Sequence, residues 1–189
     1  MRNLFTNKKL VIFIIIIIIV CVFLGMFKDK ILKIIYPQNY KEIVSIYAEK
    51  YGVEENLIYA VIKAESNFNN EAVSHKGAIG IMQIMEDTGE EIATKLELEL
   101  DKENLREELS KIDNNINIGT NYLSVLLEKY KNKEVALAAY NAGIGTVDNW
   151  IEKGIIKDDG TNIENIPYKE TNNYVRKILR DYKIYCYLY

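Results

Sequence analysis

Glu65 stands seven residues after Ile58, four after Val61 and three after Ile62. At helical spacing these four side chains project from one face. A carboxyl group on an apolar stripe is poorly solvated. Its charged form is disfavoured, its pKa rises, and it becomes suited to donating a proton near neutral pH. Position alone does not decide the matter, because a glutamate at a helix end often escapes to solvent or pairs with a lysine such as Lys63. The decisive context lies downstream. Gly77-Ala78-Ile79-Gly80-Ile81-Met82-Gln83-Ile84-Met85 sets two glycines three apart, the pattern of a turn whose backbone approaches a neighbour or a ligand closely. Ala138-Ala139-Tyr140-Asn141-Ala142-Gly143 puts a tyrosine and an amide at a helix end. Ile166-Pro167-Tyr168-Lys169-Glu170-Thr171 leads into a helix that carries Tyr174. Gln83 and Asn141 both donate and accept, so each can meet a polar ligand; the plainer role for each is a buried amide that ties backbone together. Met82 and Met85 suit a core or a cleft wall.

The elements that must position these groups read as helices throughout. Ile43, Ile46 and Tyr47 sit at helical spacing, as do Leu57, Ile58, Val61, Ile62 and Glu65. Thr88 and Glu91 have the spacing of a capping box before Ile92. Ile116, Leu123, Leu126, Leu127 and Tyr130 form an amphipathic stripe that Asp113 is placed to cap. The short apolar run 135–139 can end at Gly143, and a helix containing Trp150 and Ile151 can end at Gly154. Tyr174, Ile178, Tyr182 and Tyr185 mark the last helix. No run of period-2 alternation argues for a strand, and the charged stretch 97–109 reads as a solvated helix or loop.

With 189 residues, 49% of them hydrophobic, the chain suffices for one domain and a short appendage. The appendage is N-terminal. Residues 10–27 are 18 uncharged residues, about 27 Å as a helix and close to the thickness of bilayer hydrocarbon. Lys8 and Lys9 precede the run and mixed charge follows it, so the positive-inside tendency leaves residues 1–9 in the cytoplasm and the domain outside. An apolar region this long, with no small-residue cleavage site after it, reads as an uncleaved anchor rather than a removed signal. Residues 28–39 read as a linker in which Pro37 ends any helix, and residues 40–189 as the domain. Residues 1–27 carry +3, from Arg2, Lys8 and Lys9, so the remainder carries −6 of the net −3. An acidic soluble part argues against nucleic acid as a partner. One histidine (His75) and two separated cysteines (Cys21 and Cys186) give no metal motif and no disulfide framework, and no cofactor is expected.

Taken together, four segments resemble the catalytic domain of the soluble lytic transglycosylase family: Glu65-Ser66 with Asn69 and Ser74; 77–85, with Ile81 where leucine is usual; Ala139 to Gly143; and Ile166 to Thr171 with Tyr174. They fall in the family's order. Asn70, His75 and Glu86 depart from it at positions where proline is common. The resemblance implies an all-α, lysozyme-like domain, here preceded by a single N-terminal transmembrane helix. It implies cleavage of the β-1,4 bond between N-acetylmuramic acid and N-acetylglucosamine of peptidoglycan, leaving 1,6-anhydromuramyl ends. It implies Glu65 as the catalytic acid/base. Ser74 would bond the substrate's N-acetyl group, Tyr140 would line the cleft near Glu65, and Gln83, Met85, Asn141, Glu170 and Tyr174 complete the expected substrate site. The alternatives are a lysozyme-type hydrolase, which needs a second carboxylate such as Asp87 or Glu170, and a non-catalytic glycan-binding scaffold. An anchored domain also suits local wall opening for a secretion, conjugation or sporulation apparatus.

Overall fold

The computed structural model describes residues 2–189, with the side chains of 2–7 and Leu24 left out, so the expected cytoplasmic segment 1–9 lies largely outside the described side chains. The first unit contains helix α1, Arg2–Ile35. From Leu10 to Phe23 its apolar side chains are exposed on every face. Among the described residues no single helix is long and apolar enough to cross a membrane; Lys8–Phe23 and Gly25–Ile35 pass that test together, with a bend of 51°. The expected linker is therefore helical as far as Ile35, and the chain leaves the helix just before Pro37.

The second unit begins at Gln38 and is built from helices. They are α2 (Lys41–Tyr51), α3 (Glu55–Glu65), α4 (Glu86–Lys95), α5 (Leu105–Ser110), α6 (Ile112–Tyr130), α7 (Lys133–Ala142), α8 (Ile144–Glu152) and α9 (Lys169–Leu188), with 3-10 turns at Lys102–Asn104 and Ile163–Asn165. Helix α6 is the axis of this unit: α2, α4, α5 and α7 all pack on it. Its stripe of Ile116, Leu123, Leu126 and Tyr130 is buried as its period demands. Helix α7 is buried along Val135 to Ala139, where small side chains let it lie close to its neighbours.

Helix ends depart from the sequence reading in two places. Helix α4 starts at Glu86, so Thr88 lies inside it and no capping box forms; Met85 is the extended residue before it, without a side-chain cap. Glu86 and Asp87 instead place negative charge in the first turn, where the helix dipole favours it. Helix α6 starts at Ile112, so Asp113 is not its cap; Asp113 accepts a hydrogen bond from the Tyr47 hydroxyl at 2.9 Å. The cap of α7 is Asn132, whose side chain accepts from the backbone N–H groups of Glu134 and Val135. Gly143 ends α7 with φ of +87°, as its position suggests. Ile46 keeps helical spacing yet is exposed.

Between α3 and α4 the chain makes a tight loop rather than a helix. Ile79 exchanges backbone hydrogen bonds with Ile84 in both directions at 2.9 Å, and Val73 pairs with Ile79, so the loop folds back on itself as three short bridged segments. The Gly80–Gln83 turn closes it, with Gly80 at φ +78°.

Candidate active site

Glu65 is the last residue of α3 and follows a stretch, Leu57 to Ile62, that is buried throughout. Ser66 caps the end with its backbone N–H on the Ile62 carbonyl, and its hydroxyl donates to the Ile81 carbonyl at 2.8 Å, with that of Ile62 farther off at 3.3 Å. The 77–85 loop is thus tied directly to the residue after the glutamate. Burial pushes the Glu65 carboxyl up from its ordinary 4.5 to about 7. A hydrogen bond from Tyr174 and the positive charge of Lys177 oppose the rise, and the negative charge of Glu170 adds to it. At neutral pH the group is poised between its two forms, the condition that favours proton transfer in both directions.

Helix α9 supplies the second wall. The Tyr174 hydroxyl donates to Glu65 Oε1 at 2.5 Å. Lys177 donates to the Ala64 carbonyl at 2.9 Å, and Thr171 donates to Asn141 Oδ1 at 2.8 Å. Tyr140 and Tyr174 both hold their protons well above the usual phenolic range, because their hydroxyls are buried and face the Glu65 carboxyl.

Seven of the eight residues expected from the sequence line one cleft of about 150 Å³; Tyr174 is the exception and bonds Glu65 without lining it. Ser74 is fixed by its loop: its N–H bonds the Ala78 carbonyl at 2.9 Å, and its Oγ accepts from the Ala78 N–H at 3.0 Å. Its hydroxyl proton is left to point at an acceptor in the cleft. Asn141 accepts from Thr171, which leaves its two N–H donors. Gln83 takes the plainer of its two roles in part. Its amide nitrogen donates to the carbonyls of Ala72 and Gly80 at 3.0 and 2.9 Å, so only its oxygen is left for a ligand. Met85 is exposed on the cleft rim. Glu170 is exposed too and forms an ion pair with Lys76 across 3.6 Å. His75 joins the lining as an exposed loop residue. Asp87, the other carboxylate weighed from the sequence, is exposed in the first turn of α4 and does not line the cleft. A second depression of about 330 Å³ shares Gln83, Met85, Tyr140 and Asn141 with the first and extends it to Tyr122, Thr88 and Gly143. Through these shared residues the two are continuous, and Glu65 lines the first of them.

Sequence reasoning passed over Asn115. It is fully buried on α6, and its side chain makes two bonds to the loop and one to α5: Oδ1 accepts from the Met82 N–H at 2.7 Å, and Nδ2 donates to the carbonyls of Ile79 at 3.0 Å and Leu109 at 2.6 Å. The signal was a polar residue four before Gly119 and eight before Leu123, on a stripe otherwise apolar.

Residues 42–162 match the family model described as Transglycosylase SLT domain. The chain is 32% identical over 146 residues to the soluble lytic murein transglycosylase of Salmonella typhimurium, and 37% identical over 117 residues to the membrane-bound lytic murein transglycosylase C of Yersinia enterocolitica. Those matches cover 76% and 58% of this chain but only 22% and 32% of the relatives. Among solved structures, an inactive mutant of a lytic transglycosylase from Pseudomonas aeruginosa superposes with a TM-score of 0.74 at 33% identity, covering 82% of this chain and 25% of that one. The 70 kDa soluble lytic transglycosylase of Escherichia coli gives the same TM-score and coverage at 28% identity.

Proposed function

The chain belongs to the transglycosylase SLT domain family, and from that premise we propose that it is a peptidoglycan lytic transglycosylase, cutting the β-1,4 bond between N-acetylmuramic acid and N-acetylglucosamine. The observation that carries the reading is the placement of Glu65: half-buried at the end of α3, lining the cleft and bonded at one oxygen by Tyr174, with its desolvated carboxyl pushed up to about 7. With Oε1 held, Oε2 is the atom that exchanges a proton with substrate.

The reaction needs one such group twice. Protonated Glu65 gives its proton to the glycosidic oxygen as the bond from that oxygen to the muramyl C1 breaks. The N-acetyl carbonyl of the same sugar supports C1 meanwhile, with the Ser74 hydroxyl donating to it and orienting it. Glu65, now a carboxylate, takes the proton of the C6 hydroxyl as O6 bonds to C1. The 1,6-anhydro ring forms, no water is consumed, and Glu65 ends as it began. A hydrolase of the two-carboxylate kind would need a second carboxylate to activate water or attack C1. Glu170 is the one other carboxylate lining the cleft, and it is exposed and paired with Lys76, which supports a substrate-binding place at the rim rather than proton transfer. Gln83, Asn141 and Met85 complete the sugar-binding wall.

The same reading takes residues 10–27 as a membrane anchor and puts the domain on the extracytoplasmic side. The uncharged run supports it, with its apolar side chains from Leu10 to Phe23 exposed on all faces. Cutting would then be confined to wall near the membrane, which suits local opening for a secretion, conjugation or sporulation apparatus.

The test is mass spectrometry of fragments released from purified peptidoglycan by the full chain in detergent. Anhydromuramyl ends, lost with Glu65→Gln, are expected. Reducing ends would make the protein a hydrolase, and glycan binding without release would make it a scaffold.

A further inference from the structure

Met82 is gripped from both sides by groups that belong to different helices. Its N–H donates to Asn115 Oδ1 on α6 at 2.7 Å. Its carbonyl accepts from the Tyr140 hydroxyl on α7 at 3.0 Å. Its side chain is fully buried against α6: a Cβ at Gly119 would stand 2.6 Å from Met82 Sδ and 2.9 Å from Met82 Cβ. Thr120, one residue on, also faces the sulfur at 3.9 Å. Asn115, Gly119 and Thr120 are spaced i, i+4, i+5, so one face of α6 is shaped around a single loop residue. The next residue, Gln83, is held at φ +51°, a conformation a non-glycine side chain adopts only when its surroundings enforce it.

We infer that this seat on α6 is the positioning device of the reaction, with Asn115 its central residue, acting on the substrate through Met82 and thence Tyr140 and Gln83. The inference rests on the transglycosylase reading. Asn115 lies outside the cleft lining and touches no reacting atom, so it is a positioning residue. Its three bonds saturate the loop's inner edge: one fixes Met82, one fixes Ile79 beside the Ile79–Ile84 bridge, and one ties the loop to the end of α5 through Leu109. Gly80 is pressed on the same amide, with only 2.4 Å between Asn115 Nδ2 and the position a Cβ would take. A loop so clamped cannot shift Tyr140 or Gln83 without breaking a buried bond, and displacement of a positioning group by about 1 Å costs on the order of 100-fold in rate.

The experiment compares peptidoglycan turnover by the full chain in detergent for the wild type, Asn115→Asp, Gly119→Ala and a control three turns along α6, Leu126→Val. Asn115→Asp keeps the acceptor for Met82 and replaces the donor edge with an oxygen facing two carbonyls. Gly119→Ala favours the helix yet pushes Met82 outward, so it tests the seat even where the aspartate variant fails to fold. Both are expected to lower kcat about 10- to 100-fold, with KM changed less than about threefold, in protein that still melts cooperatively. Adding Tyr140→Phe to Asn115→Asp is expected to cost little more, because both break one chain of contacts, while Leu126→Val keeps the wild-type kcat. Loss of kcat only in proportion to unfolded protein, a rise in KM alone, or losses that multiply between Asn115→Asp and Tyr140→Phe would overturn the inference. A wild type without turnover overturns the proposed activity instead. The seat is then read by amide hydrogen exchange at Met82, whose N–H Asn115 holds, which Gly119→Ala must speed and Leu126→Val must leave as in the wild type; equal exchange in both overturns it.

Discussion

Replacing Glu65 by glutamine is expected to make the protein more stable above neutral pH while leaving its stability in acid nearly unchanged. In the folded chain burial holds the Glu65 proton until about pH 7, whereas the unfolded chain releases it near the ordinary 4.5. Between those values the folded state binds more protons than the unfolded one, so stability falls as pH rises, and the loss is complete above pH 7. Two and a half pH units at 1.36 kcal/mol each set the loss at about 3 kcal/mol. Relaxation of the cleft reduces it, so about 1.5–3 kcal/mol is the working range, or roughly 4–10 °C in Tm for a unit of this size. Glutamine matches the neutral acid in shape, and its carbonyl can still accept from Tyr174, so it escapes this loss. Trp150 is the chain's only tryptophan and is buried, so its fluorescence reports melting of the domain without interference from α1. Melting curves of the two proteins at pH 4.5, 6 and 8 should coincide at the first and separate progressively, glutamine above glutamate. A gap that stays constant with pH, or a less stable glutamine variant at pH 8, would show that Glu65 is not the buried, proton-holding group described here.

Two further outcomes follow from the same contacts. Tyr174→Phe removes the hydrogen bond that favours the Glu65 carboxylate, so the alkaline limb of the kcat/KM pH profile should move upward by about one pH unit, given the difference between bonds to charged and to neutral acceptors; an unmoved or lowered limb would contradict it. Gly80→Ala combines a φ of +78° with a Cβ 2.4 Å from Asn115 Nδ2, and should cost at least about 2 kcal/mol in denaturant unfolding, with turnover reduced in the fraction that stays folded.

The reach of the sequence differed from element to element, for physical reasons. Periodicity located α3, α6 and α9 because burial acts on every third or fourth residue, and it put Glu65 on the buried face of α3. Gly143 was legible as a helix end because few other residues accept its conformation. Capping was less legible: Thr88 and Asp113 have the right chemistry, but the helices begin one to two residues earlier, and tertiary partners such as Tyr47 claim the side chain. The two roles open to Gln83 could be separated only by the carbonyls of Ala72 and Gly80, whose place depends on how the loop folds back. Asn115 was illegible for the same reason, since its partners lie 33 and 36 residues away in the chain as well as near it. The bonds that join Glu65 to Tyr174 and Asn141 to Thr171 were out of reach too, because spacing says nothing about which helices meet.

Helix α9 is the final element of the chain, and it alone supplies Tyr174, Lys177 and Thr171 to the site. Tyr174 and Lys177 both favour the charged form of the Glu65 carboxyl, while burial favours the neutral one. The helix is thus a counterweight: it lets the surroundings of the acid be dry enough to raise its pKa without carrying that pKa out of reach of neutral pH.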